Sequence, residues 1–161
     1  ARRMDAAKDP NRYYVESKFA IAGHPVHAML VTFPIALACG TLGADLFWWW
    51  TADPFFARLA VWTAGWGFGL GVVAAASGLF ELLLVRGIRV RAEAWNHGVA
   101  ALWLVAVLGA NWGLRLAEPA LVLPWGLYLS VLGFVSVGFA GWHGGKLVFE
   151  HQIGVSRDTQ S

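Results

Sequence analysis

The run Ala28-Met29-Leu30-Val31-Thr32-Phe33-Pro34-Ile35-Ala36-Leu37-Ala38-Cys39-Gly40-Thr41-Leu42-Gly43-Ala44-Asp45-Leu46-Phe47-Trp48-Trp49-Trp50 contains one charged side chain, Asp45. A bilayer core of about 30 Å is crossed by about 20 apolar residues in an α-helix, and this run is long enough. Three more follow, over residues 55–85, 94–116 and 120–141. Asp53 and Pro54 open the second as a cap and a first helical residue. It is longer than a bilayer requires, which predicts tilt or projection from the membrane. Glu118-Pro119 precedes the fourth. The links are short, so consecutive helices are expected to be antiparallel neighbours. The fold expected is all-α and integral to the membrane, a four-helix transmembrane up-down bundle within residues 23–155. A tail of residues 1–22 precedes it and a disordered tail of residues 156–161 follows.

Composition agrees. Of 161 residues, 58% are hydrophobic and 14% charged, against about 25% charged in soluble domains. A soluble domain of this size has no core large enough to bury such runs. The polar first twenty residues do not read as a cleavable signal peptide. Cys39 has no second cysteine to pair with and reads as a small buried hydrophobe. No phosphate-binding loop, Ser-His-Asp pattern, nucleic-acid-binding face or coiled-coil heptad is present. The glycines of Gly65-Trp66-Gly67-Phe68-Gly69-Leu70-Gly71 follow no strand, so they point to close helix contact rather than to a dinucleotide.

Lys and Arg placement sets the expected direction of insertion. Arg2, Arg3, Lys8, Arg12, Lys18, Arg86, Arg89, Arg91, Lys146 and Arg157 fall on one side, and Arg58 and Arg115 on the other. Both termini are therefore expected in the cytoplasm. Trp48, Trp49, Trp50, Trp112 and Trp125 fit an outer aromatic belt, and Trp95 and Trp142 an inner one.

All five histidines fall at the expected cytoplasmic end. His24 and His27 open helix one, His97 lies in the first turn of helix three, His143 closes helix four and His151 follows it. Neutral imidazole is a common metal ligand and a haem axial ligand. In an up-down bundle, helices one and three face each other diagonally, which puts His27 and His97 at similar depth. They are the expected axial pair for a b-type haem iron, with His24, His143 and His151 as supports, further ligands or proton carriers. Arg86, Arg89 and Arg91 would meet its carboxylates. Gly78, Gly98, Ala100, Ala101 and Ala74-Ala75-Ala76 would make room for a flat macrocycle, although small residues also serve plain helix packing. A compact transition-metal site on the same histidines, or no cofactor at all, are the alternatives. Glu81 is an intramembrane carboxylate, a candidate proton relay or partner for a histidine N–H. Asp45, Asn111 and Arg115 are expected to form a structural clasp near the outer end.

Gly23-His24-Pro25-Val26-His27, Met29-Leu30-Val31, Phe33-Pro34-Ile35-Ala36 and the closing Gly144-Gly145-Lys146-Leu147-Val148-Phe149-Glu150-His151-Gln152-Ile153-Gly154-Val155 resemble a bacterial four-helix membrane family, domain of unknown function 2231. Gln152 departs from the glycine usual there, and His143 from an apolar residue. The resemblance implies a multi-pass protein of a bacterial inner (cytoplasmic) membrane. Family members beside Rieske and cytochrome-like modules imply membrane electron transfer, with quinone and such modules as expected partners. The competing expectation is a non-catalytic structural or assembly subunit of a larger homo- or hetero-oligomer. Neither reading decides whether the chain is an enzyme.

Overall fold

The computed structural model describes residues 20–21, 24–118 and 122–149. Two residues on each side, Ala20–Ile21 (β1) and His24–Pro25 (β2), pair antiparallel just before the first helix. The residue before a proline is disfavoured in the helical region, and the helix accordingly starts only after Pro25. The helices are α1 (Val26–Leu30), α2 (Thr32–Thr51), α3 (Pro54–Leu84), α4 (Arg86–Arg89), α5 (Ala92–Ala117) and α6 (Trp125–Phe149). Four segments are long and apolar enough to cross a membrane: Val26–Thr51, Pro54–Leu84, Ala92–Ala117 and Trp125–Phe149. The first is interrupted only at Val31, and the fourth lies further along the chain than residues 120–141. The tails, apart from residues 20–21, lie outside the described residues.

Local chemistry fixes the boundaries. Ala52 takes the left-handed conformation (φ 54°) and its N–H donates to the Trp48 carbonyl, ending α2. Asp53 then caps α3 by accepting the Phe55 N–H at 2.9 Å, and Pro54 supplies the first helical φ. At the other end, Val85 and Ile88 of the α3–α5 link are buried with Leu82, Ala94 and Leu147. This packing ties down the link that bears the three arginines.

The spans form a closed ring in which α2 packs on α3, α3 on α5, α5 on α6 and α6 on α2. Helices α2 and α5 are the diagonal pair. The interior is built from small residues, among them Ala38, Ala60, Ala64, Ala74, Ala100 and Ala140, while Trp49, Trp62 and Phe139 are outward and exposed. That distribution suits lipid, where helices associate by close backbone approach rather than by hiding apolar surface.

The two hairpins, α2 with α3 and α5 with α6, bury residues at matching positions. Helices α2 and α5 correspond at an offset of 70 residues, as from Asp45 to Arg115. Buried Pro34, Ala38, Thr41 and Asp45 match buried Leu104, Leu108, Asn111 and Arg115. Helices α3 and α6 correspond at an offset of 66, as from Ala74 to Ala140. Buried Ala60, Ala64, Gly67, Ala74 and Glu81 match buried Gly126, Ser130, Gly133, Ala140 and Leu147. Both hairpins start at the same end, so the pseudo-twofold axis runs along the bundle.

Candidate functional site

His27 and His97 are 70 positions apart and stand across the pseudo-axis, their ring centroids 6.2 Å apart and their planes at 77°. Each is held by the second helix of its own hairpin. His27 Nδ1 lies 2.9 Å from the Ala74 carbonyl oxygen, and His97 Nδ1 lies 3.2 Å from that of Ala140. A carbonyl can only accept, so Nδ1 carries the hydrogen in both rings. That assignment leaves each Nε2 with its lone pair when the ring is neutral.

The same hairpins supply a seat for each ring. A Cβ on Gly78 would stand 2.7 Å from His27 Cε1, and a Cβ on Gly144 would stand 3.0 Å from His97 Cε1. Gly78 and Gly144 each lie one turn beyond the carbonyl that holds the ring. The unit of His, carbonyl and glycine therefore occurs twice, once per hairpin. Ser77 adds a hydroxyl on the His27 side only, 3.3 Å from Nδ1, and itself donates to the Ala74 carbonyl at 2.8 Å.

The surroundings are not symmetric. His143 occupies the place matching Ser77. Its Nδ1 lies 2.9 Å from the carbonyl oxygen of Phe139 on its own helix, and its ring rests on the Phe139 ring at 4.4 Å. Its hydrogen bond is therefore made within α6. Glu81 is buried one turn beyond Gly78, where the other hairpin has Leu147. Arg86 and Arg89 are exposed, and Arg91 is partly buried with its Nε donating to the Gly87 carbonyl at 3.2 Å. Gly98 is in contact range of Leu82, which would lie 3.6 Å from an added Cβ. The His24 side chain and all of His151 lie outside the described residues.

Among the described residues, no group of three or more His, Cys, Asp or Glu side chains could hold a metal ion. His24 and His151, which a compact transition-metal site would draw on, have side chains outside the described residues. Among the described residues, two imidazoles, those of His27 and His97, face each other at this level.

The opposite end carries the second polar assembly. Arg115 Nη1 and Nη2 donate to Asp45 Oδ1 and Oδ2 at 2.8 and 2.6 Å, with both side chains fully buried. Arg115 Nε donates to Asn111 Oδ1 at 2.9 Å, Asn111 Nδ2 to Ser130 Oγ at 2.9 Å, and Ser130 Oγ to Asp45 at 2.6 Å. Every polar atom is satisfied, as a buried ion pair requires. The pair lies on the pseudo-axis and joins the two hairpins. The sequence reading had Asp45, Asn111 and Arg115; it lacked Ser130, and it counted Arg115 among the flanking charges, whereas its charge is internal. It also gave no site role to Ser77, to Gly144, which it quotes only within the closing motif, or to the carbonyls of Ala74 and Ala140, which have no signature in a sequence.

Residues 23–157 match the family model described as predicted membrane protein, DUF2231. The chain belongs to this family. The DUF2231 match takes in all four spans and all five histidines. No curated protein and no solved structure matches the chain.

Proposed function

We propose that this DUF2231 protein is a membrane electron-transfer protein or subunit that holds one b-type haem between His27 and His97. The observation that carries the reading is the distance between the two rings. A five-membered ring with sides of about 1.35 Å has a radius of about 1.15 Å, and a metal–imidazole bond is about 2.0 Å. Two imidazoles on opposite sides of one metal therefore have centroids about 6.3 Å apart, and the two rings stand at 6.2 Å. The Nδ1–H bonds to backbone carbonyls support the same reading, because axial histidines are commonly oriented in this way. Two protein ligands suit a macrocycle that brings its own four nitrogens.

When bound, haem supplies one-electron chemistry. The protein's part would be to leave Nε2 of His27 and of His97 as the lone-pair nitrogens, to hold the rings against rotation through the carbonyls of Ala74 and Ala140, and to seat them on Gly78 and Gly144. Arg86, Arg89 and Arg91, at the same end of the bundle, suit carboxylates. Glu81 suits a proton relay on the His27 side. By the charge bias, this end and both termini face the cytoplasm of a bacterial inner membrane, with quinone and a Rieske or cytochrome module as partners.

The test is the absorbance spectrum of detergent-purified protein, made with ample haem supply and reduced with dithionite. Soret and α bands are expected. Their absence would remove the haem reading and leave the alternative of a non-catalytic subunit docking within a larger complex.

A further inference from the structure

Residues 84–91 run from the end of α3 to the residue before α5 and set three arginines among exposed aliphatic side chains. Leu84 is 58% exposed and Val90 79%, whereas Val85 and Ile88 are buried with Leu82, Ala94 and Leu147. Arg86 and Arg89 stand three apart on α4, hence on one face, and both are exposed. Neither guanidinium takes part in a hydrogen bond or ion pair among the described residues. Arg91 is used differently, its Nε donating to the Gly87 carbonyl at 3.2 Å. The turn is pinned a second time by the Trp95 indole, whose Nε1–H donates to the Arg89 carbonyl at 2.9 Å.

Orientation in the membrane needs cations on one side; it does not need them on a fixed turn. Here the buried Val85 and Ile88 and the Trp95 bond hold the backbone under both arginines, so little freedom is left to lose when an anion binds. The exposed aliphatic neighbours fix the level. In water, Leu84 and Val90 would leave large apolar surfaces uncovered, and at the membrane boundary they meet acyl chains. Trp95, 43% exposed, is the type of side chain found at that boundary. The guanidiniums therefore stand where acyl chains end and phosphates begin. Within residues 85–95 the one acid is Glu93. The link at the other end, by contrast, centres on Asp53, whose carboxylate is engaged by the Phe55 N–H at 2.9 Å.

We propose that Arg86 and Arg89 hold the phosphodiester of an anionic phospholipid, with its acyl chains beside Leu84 and Val90. A guanidinium matches phosphate oxygens through paired N–H donors and is less strongly hydrated than an ammonium. An anionic lipid satisfies the charge and the apolar neighbours together. A soluble anion or an acidic peptide satisfies only the charge and leaves Leu84 and Val90 in water. Zwitterionic lipid carries its own cation next to the phosphate, which offsets the attraction. The site needs no cofactor, and it leaves Arg91, the partly buried arginine, for the haem carboxylates of the reading above.

The test is native mass spectrometry of the full chain in detergent, titrated with phosphatidylglycerol or with phosphatidylcholine of the same acyl chains. Wild type should bind phosphatidylglycerol more tightly. One cation at the membrane surface contributes about fivefold in affinity for anionic lipid. Arg86→Gln and Arg89→Gln should each weaken that binding by this factor, and the double variant should lose most of the preference. Phosphatidylcholine affinity should not move, which shows that the fold survives. Arg2→Gln/Arg3→Gln, which removes two cations from the N-terminal tail, should leave the preference as it is. An equal loss there would show diffuse charge attraction and overturn the proposal, as would an unchanged preference in Arg86→Gln/Arg89→Gln. Displacement of the lipid by an equal concentration of glycerophosphoglycerol, the same phosphodiester without acyl chains, would show a soluble anion as the ligand and overturn it too. Displacement by an oligoglutamate peptide would do the same in favour of an acidic protein. Lipid preference in protein without haem bands would remove the haem reading alone, and haem bands without lipid preference would remove this proposal alone.

Discussion

Alanine at Gly78 and at Gly144 makes the same chemical change at two pseudo-equivalent sites, and the structure predicts unequal results. A new Cβ on Gly78 would meet three atoms of the His27 ring at 2.7, 2.9 and 3.2 Å. On Gly144 the three His97 distances are 3.0, 3.4 and 3.8 Å. Carbon contacts are comfortable at about 3.5–4.0 Å, so the His27 ring must retreat by roughly 0.8 Å and the His97 ring by roughly half that. The first retreat carries Nδ1 from 2.9 Å beyond hydrogen-bonding range of the Ala74 carbonyl. Overpacking costs about 1–3 kcal/mol and the lost bond about 1 kcal/mol. The helix propensity of alanine over glycine returns about 1 kcal/mol. Gly78→Ala should therefore lose about 1–3 kcal/mol, and Gly144→Ala between about 0 and 1 kcal/mol. Thermal unfolding of both variants in one detergent measures this. Cofactor bands, where present, should fall in Gly78→Ala more than in Gly144→Ala. Equal stabilities, or a more damaged Gly144→Ala, would refute the seating of His27 on Gly78.

His27→Ala and His97→Ala should each give folded protein without Soret absorbance, while His24→Ala should keep a shifted or partly occupied site. A full wild-type spectrum in His27→Ala would remove His27 as a ligand. Asp45→Asn leaves Arg115 buried without its counter-charge and should cost about 3–5 kcal/mol, read as a fall in unfolding temperature. Any cofactor spectrum should nonetheless change little in the fraction that folds, because Asp45 lies 18 residues from His27, roughly 27 Å along the helix. Asp45→Leu/Arg115→Leu should be less destabilised than either single change, since no unpaired charge remains. A cysteine at Ala52, in a chain whose Cys39 is replaced by alanine, should react with an impermeant reagent from outside the cell. Reaction from the cytoplasmic side alone would reverse the topology.

The sequence by itself determined the membrane class, the number of spans and the link at Asp53-Pro54. These follow from local quantities: the length of apolar runs, a capping carboxylate and a proline at the first helical position. It also placed His27 and His97 on the diagonal, because four short-linked helices leave few other arrangements. Tertiary structure decided what those residues do to one another. The carbonyls of Ala74 and Ala140 have no signature in a sequence, since every residue has one, and only the crossing of α1 with α3 and of α5 with α6 selects these two as acceptors. The glycine seats are equally silent, because nineteen glycines are present and chain order does not say which one faces an imidazole. Arg115 shows the same point for charge. By position it counts as a flanking cation. Asp45, 70 residues earlier, turns it into the internal half of a clasp. The match between the two hairpins is hidden for a related reason: it lies in which positions are buried rather than in side-chain identity, and burial is a property of the folded chain.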